Sequence, residues 1–277
     1  MVASSSPALV FAAIDGLPLA IDDGHRRLPP LLAALAAERI VIVFTSARTR
    51  AEMERFRQSI GIFHPFVCEE GAAAFVPARY FGSDLHNARC VGGYQAIEFA
   101  PGYDAAVAAV RRASAQLRTA VRQFADMSIE EVARECGLSL LDARLAKLRE
   151  YGEPFRLTGA TPDAERRFRR TLSASGMRCS RHGGFLHATW VDGPRAAMAV
   201  LKTLYRTAFG AVVTASTGFS GERAADGVAH VDLDSVRLVD APARDTLGWI
   251  EAVVARVRRV RDAGLSQPAV AAARMGA

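Results

Sequence analysis

Ala8-Leu-Val-Phe-Ala-Ala-Ile14 and Ile40-Val-Ile-Val-Phe44 are two short apolar runs, the second β-branched and closed by Thr45-Ser46. Runs of this length, bounded by turn residues, are those of strands buried on both faces. Between them, residues 28–38 carry apolar positions at helical spacing, and residues 51–60 do so after the second run. Residues 65–68 and 72–76 then read as a strand pair around Glu69-Glu70-Gly71. Strand, helix, strand, helix in this order implies a parallel sheet with right-handed crossovers.

The pattern changes after Gly92-Gly93. A strand at 94–99 and a helix at 103–119 precede two short helical patterns at 128–136 and 140–150. Ser128-Ile-Glu-Glu131 is a capping box, Ser followed three residues on by Glu, ahead of Val132. A helix at 163–175 follows, then residues 177–180 and 185–190 form a hairpin across His182-Gly-Gly184. Strand–helix alternation then resumes: a helix at 195–209, a strand at 211–215, short strands near 228–231 and 236–239, and a last helix ending about residue 262. The fold class is therefore α/β, with a core at 1–90 and 188–277, residues 263–277 forming a loose tail, and an α+β insertion at 91–187. Such an insertion is expected as a cap over the carboxyl ends of the core strands, where ligands bind in open α/β sheets.

Composition narrows the classes further. The chain has 277 residues, 50% hydrophobic and 23% charged, which is globular and not disordered. No apolar run approaches the ~20 residues of a membrane span. The N-terminus lacks the cationic segment of a signal peptide, and the four cysteines are widely spaced without CxxC, so a cytoplasmic protein with no zinc ribbon is expected. The formal charge is +6, and Lys147 and Lys202 are the only lysines among 35 cationic residues. A nucleic-acid reading is set aside because the arginines are dispersed among acids without interleaved aromatics. The densest cluster, Arg256 to Arg261, lies on a helix whose Ile250, Val253, Val254, Val257 and Val260 form one apolar face, so its cations are solvated.

Three strand ends can hold chemistry: Asp15 after the first run, Thr45-Ser46-Ala-Arg48 after the second, and Ser216-Thr-Gly-Phe-Ser-Gly-Glu-Arg223 after the strand at 211–215. Hydroxyls, free backbone N–H groups and arginines at the second are suited to a phosphate oxygen.

On longer strings the sequence resembles the mannosyl-3-phosphoglycerate phosphatases, a branch of the haloacid-dehalogenase-like (HAD) phosphatases. The likeness is carried by Phe124-Ala-Asp-Met-Ser-Ile-Glu-Glu-Val-Ala133 and Ala143-Arg-Leu-Ala-Lys-Leu-Arg-Glu-Tyr-Gly-Glu-Pro-Phe155. Phe44-Thr-Ser46, Thr49-Arg50, Glu69-Glu-Gly-Ala-Ala73, Leu204-Tyr-Arg206 and Phe209-Gly210 add to it. The resemblance implies a HAD-like Rossmannoid core, a parallel sheet with helices on both faces, and an inserted cap.

It also implies four elements: an Asp-x-Asp nucleophile and acid/base on strand one, a Ser or Thr after strand two, a Lys at a helix start, and an acidic loop for Mg2+. The logic is electrostatic, since a carboxylate attacks a phosphate dianion only when cations neutralise it. Here Ala13 stands at the nucleophile position and Asp15 at the acid/base position. Thr45 and Ser46 keep the hydroxyls, while Pro194 or Arg195 replaces the lysine. In the metal loop Phe219 and Arg223 stand where carboxylates belong, beside Ser220, and Glu222 is the one carboxylate left in that loop.

The leading expectation is thus a binding protein with a degenerate centre, needing no cofactor. A small anionic, sugar-type metabolite would meet Thr45, Ser46, Arg48, Arg195, Ser220 and Arg223 on the core. On the cap it would meet Arg144, Lys147, Arg149, Glu153, Arg181 and His187. Without hydrolysis the protein could serve as a binding or regulatory subunit with a protein partner, or run an unrelated reaction. The alternatives are a Mg2+-dependent phosphomonoesterase that uses Asp15 and a rearranged metal site, with Asp22 or Asp23 as a substitute nucleophile, and a basic nucleic-acid-binding protein.

Overall fold

The computed structural model describes residues 7–15, 24–182, 184–210, 213–217 and 246–265. Residues divide into two compact units, and the boundary runs through the first two strands.

The smaller unit comprises residues 1–12, 16–42 and 209–277. In it β1 (Ala8–Ala13) pairs in parallel with β11 (Val213–Thr217), Ala8 opposite Val213 and Ala12 opposite Thr217. Helices α1 (Gly24–Ala37) and α8 (Thr246–Leu265) pack together, and Arg258 Nε donates to Glu38 Oε1 at 2.7 Å. The apolar face read on the last helix is buried at Ile250, Val253, Val254 and Val257. The strands expected near 228–231 and 236–239, and the 218–223 loop, lie outside the described residues.

The larger unit holds residues 13–15 and 43–208. There β2 (Ile40–Thr45) pairs in parallel with β3 (Phe66–Cys68), and β4 (Ala73–Pro77) turns back antiparallel on β3. A hairpin of β5 (Arg89–Val91) and β6 (Tyr94–Glu98) extends the same sheet through β4. Residues 94–98, expected at the start of the cap, thus continue the first sheet. Helix α2 (Arg50–Ser59) begins at a reciprocal capping box of Thr49 and Glu52.

A second, four-stranded antiparallel sheet has the order β7 (Val121–Gln123), β8 (Glu153–Leu157), β10 (Phe185–Thr189), β9 (Arg178–His182). The β9–β10 hairpin sets Ser180 opposite His187, as the 177–190 pattern implies. Successive strand residues face opposite sides, so Phe185 and Leu186 enter different cores. Leu186 packs with Phe155, Phe168, Leu172 and Val110 under α3 (Tyr103–Leu117) and α6 (Pro162–Ala174). Phe185 packs with Phe124, Val132 and Ala143 under α4 (Ile129–Cys136) and α5 (Leu140–Ala146). The Ser128–Glu131 capping box opens α4. Helix α5 stops at Ala146, short of the expected residue 150, and Leu141 and Leu148 are exposed. Helix α7 (Arg195–Phe209) has the expected bounds.

Candidate active site

The end of β1 and the loop after β2 are joined by hydrogen bonds. Ile14 N–H donates to Thr45 O at 3.1 Å, which brings Asp15 beside Ser46. Ser46 Oγ donates to Asp15 Oδ1 at 2.5 Å, and Ala47 N–H donates to Asp15 Oδ1 and Oδ2 at 3.1 and 2.9 Å. Thr45 and Ser46 are buried, whereas Asp15 is exposed. Arg48 N–H donates to Ser46 Oγ at 3.1 Å, and the Arg48 guanidinium lies 3.7 Å from Glu52. The segment is braced from behind, since Ser46 N–H donates to Val67 O and Glu70 N–H to Ser46 O.

Glu69 and Glu70 form the hub of this region. Both adopt left-handed backbone, with φ of 46° and 60°, which costs free energy for residues with a Cβ. Glu69 offsets that cost by burying its carboxylate against three consecutive N–H groups. Glu150 N–H donates to Oε1 at 2.8 Å, while Tyr151 and Gly152 N–H donate to Oε2 at 3.1 and 2.8 Å. The Arg149 guanidinium completes the shell at 3.3 Å. It also donates to Gly152 O at 2.9 Å and to Ala47 O at 3.1 Å. Burial alone would lower the Arg149 pKa, but the Glu69, Glu52, Glu70 and Glu153 carboxylates raise it and keep the side chain charged.

Glu70 points the other way, to the β9–β10 hairpin. Ser180 Oγ donates to Glu70 Oε1 at 2.6 Å, and His182 Nε2 lies 3.0 Å from the same oxygen. Burial opposes ionisation of Glu70, yet the His182 and Ser180 hydrogen bonds hold its carboxyl below the usual range. The bond to Glu70 raises the His182 pKa against burial, with a further contribution from Asp15. His187, with its ring centroid 4.9 Å from that of His182, is pushed down to about 3 by burial and by Arg149, so it is neutral at physiological pH.

Expectations for the cap are revised by this geometry. Lys147 closes the single 3-10 turn at Phe124–Asp126 by donating to the carbonyls of Phe124, at 2.6 Å, and Met127. Arg149 is committed to Glu69 and two backbone carbonyls. Both cations, expected as ligand contacts, thus engage backbone carbonyls: Lys147 those of Phe124 and Met127, Arg149 those of Gly152 and Ala47. Glu153 is fully buried, accepts Ala125 N–H at 3.1 Å, and is raised to about 7 by burial. Arg181 donates to both oxygens of Glu165 at 2.6 Å, and Arg144 is exposed on α5. Arg195 is exposed at the first turn of α7. The expected residues Ser220 and Arg223, with Asp22 and Asp23, lie outside the described residues. Reading the sequence missed Glu69, Glu70 and Ser180; the one local signal was two acids directly before Gly71.

Mg2+ is the group the family resemblance implies. At the strand-one end the donor set does not fit it: Ala13 offers a methyl in place of a carboxylate, and both Asp15 oxygens accept from Ser46 and Ala47.

An α/β unit with hydroxyls after its second strand, followed by a helix-covered antiparallel insertion, is the arrangement of the HAD-like fold. No family model matches the chain. It is 29% identical to a glucosyl-3-phosphoglycerate/mannosyl-3-phosphoglycerate phosphatase of Methanococcoides burtonii, over 84% of this chain and 83% of that protein. It is 30% identical to a protein of the same description from Persephonella marina, over 53% of this chain and 54% of the relative. Among solved structures, a Streptococcus mutans protein matches with a TM-score of 0.53 at 11% identity, covering 92% of this chain and 100% of that one. The sucrose-phosphatase of Synechocystis, solved with sucrose and phosphate, matches with a TM-score of 0.50 at 10% identity, covering 92% and 99%. These two bear on the fold alone. The chain is thus similar to curated mannosyl-3-phosphoglycerate phosphatases over most of its length, and its fold is HAD-like.

Proposed function

We propose that the protein binds a small phosphorylated or carboxylated, sugar-linked metabolite at Thr45, Ser46 and Arg48 and hydrolyses it little or not at all. The observation that carries this reading is Ala13 at the nucleophile position, one residue before the Ile14–Thr45 hydrogen bond that places Asp15 at Ser46. A methyl group cannot form an aspartyl-phosphate, and loss of a nucleophile costs several orders of magnitude in rate. The ligand class is supported by the relatives, which are named as phosphatases of glucosyl-3-phosphoglycerate and mannosyl-3-phosphoglycerate. Arg195, Arg144 and Arg181, on α7 and the insertion, are proposed as further anion contacts. A protein without turnover would act as a cytoplasmic metabolite-binding or regulatory subunit. No helix among the described residues is long and apolar enough to cross a membrane.

A second reading, a working phosphomonoesterase, is favoured by the phosphatase names of the relatives and by the exposed carboxylate of Asp15. One assay separates the two. Purified protein is incubated with mannosyl-3-phosphoglycerate, glucosyl-3-phosphoglycerate and simple sugar phosphates, with and without Mg2+, and released phosphate is measured. Saturable binding without release is the expected result. Mg2+-dependent turnover that is abolished by Asp15→Asn overturns the binding-protein reading.

A further inference from the structure

The donors at the end of β2 already have an anion on them. Ser46 Oγ and Ala47 N–H make three hydrogen bonds of 2.5, 3.1 and 2.9 Å to the two oxygens of Asp15. A hydroxyl and a backbone N–H at the end of a strand are the donors an external oxyanion would use. The carboxylate and a phosphate are both acceptors at neutral pH, so they compete for the same two protons and repel each other.

Two features make the carboxylate removable. Asp15 is exposed, while Ser46 and Ala47 are only 4% and 8% exposed. The carboxylate is thus held from one side and can leave toward solvent without opening the core. The donors, in turn, do not need Asp15 to stay in place. Ser46 is fixed by Val67 O and by Glu70 N–H, and Ala47 O is fixed by Arg149.

We infer that Asp15 is a tethered occupant of this cradle, an internal carboxylate that an external oxyanion must displace, and that it thereby sets the affinity of the site. This rests on the reading of Thr45 and Ser46 as an oxyanion site and adds how that site is regulated.

The test is calorimetric titration of inorganic phosphate into the full chain, comparing wild type, Asp15→Ala, Asp15→Asn, Ser46→Ala and the Asp15→Ala/Ser46→Ala double variant. Circular dichroism and thermal melts establish that each is folded; an exposed Asp15 can be replaced without cutting the core. Asp15→Ala should bind phosphate at least tenfold more tightly than wild type. Asp15→Asn should gain less, because its amide oxygen still accepts from Ser46 while the charge is gone. The double variant should lose the gain. If wild type binds phosphate through Ser46 and Asp15→Ala binds no more tightly, the internal-occupant proposal fails and the oxyanion site stands. A gain in Asp15→Ala that survives in the double variant places phosphate elsewhere and also overturns the proposal. Absence of phosphate binding in all five proteins overturns both.

Discussion

Glu69 and Arg149 form a buried ion pair, 3.3 Å apart, in which the carboxylate also collects the N–H groups of residues 150, 151 and 152. The two side chains are 0% and 5% exposed, so if either is lost the other is left buried, out of reach of water. Glu69→Ala should therefore cost about 3–5 kcal/mol, read by urea denaturation, since it strands a buried guanidinium and three donors. Replacing both, as Glu69→Ala with Arg149→Met, should cost less than the sum of the two single changes. Additive effects would mean that the pair is not coupled.

Glu153 makes stability fall with rising pH. Burial raises its folded-state pKa from the ordinary 4.5 to about 7, outweighing the opposing hydrogen bonds from Tyr103 and Ala125 N–H. The folded state therefore binds more protons than the unfolded state between those values, and stability declines across that window as pH increases. A gap of this size corresponds to roughly 3 kcal/mol. Glu153→Gln should flatten the profile and be the more stable protein at pH 8; chemical denaturation at pH 5 and pH 8 on both proteins measures it.

His64, His182 and His187 should titrate apart in NMR spectra. His182 should titrate above 6.5 because of its bond to Glu70, and Glu70→Gln should bring it down. His187 should stay neutral through the accessible acid range, its value being about 3. His64, which shares a 2.7 Å hydrogen bond with Tyr80, should titrate at about 4 through burial and the neighbouring Arg57. The stability linked to His182 is fully present below the unfolded value and lost as pH rises through the folded one. With the side chain 40% exposed, that contribution is small. Equal pKa values for His182 and His187 would refute the arrangement around Glu70.

Gly71 cannot become alanine without a backbone shift. A Cβ there would lie 2.5 Å from Gly193 O and 2.6 Å from Pro194 Cα, on a residue whose φ is 99°. Gly71→Ala should cost at least about 2 kcal/mol, from strain plus overlap. Gly193→Ala is the control: its φ of 75° carries the strain, but nothing lies within 4 Å of the added carbon. Similar midpoints in denaturant for the two variants would contradict the close approach.

Local chemistry made much of the fold legible. The Ser128–Glu131 capping box, the apolar face of α8 and the helix at Arg195–Phe209 depend on neighbours within one or two turns, and all three stand as the sequence implies. The candidate site was legible only in part. Asp15, Thr45 and Ser46 were recognisable as strand-end residues, and their resemblance to a phosphatase motif singled them out. Glu69 was not recognisable, because its donors lie 81 to 83 residues further along the chain. No periodicity encodes a partner at that distance. The same holds for Lys147, whose charge suggests a ligand contact until the carbonyls of Phe124 and Met127 are seen around it. Helix α5 stops at residue 146 although the helical spacing of its leucines continues to Leu148; Lys147 and Leu148 N–H still donate back to Ala143 and Leu145, and from Glu150 onward the N–H groups turn to Glu69.

Ala47 is gripped at both ends, its N–H by Asp15 and its carbonyl by Arg149, a residue 102 positions later. The charged string around Arg149 is therefore scaffolding for the strand-end loop, whatever else it touches. A change at Arg149 or Glu69 would therefore reach the Asp15–Ala47 contact through the backbone, so likeness in this stretch of sequence measures shared architecture before it measures shared chemistry.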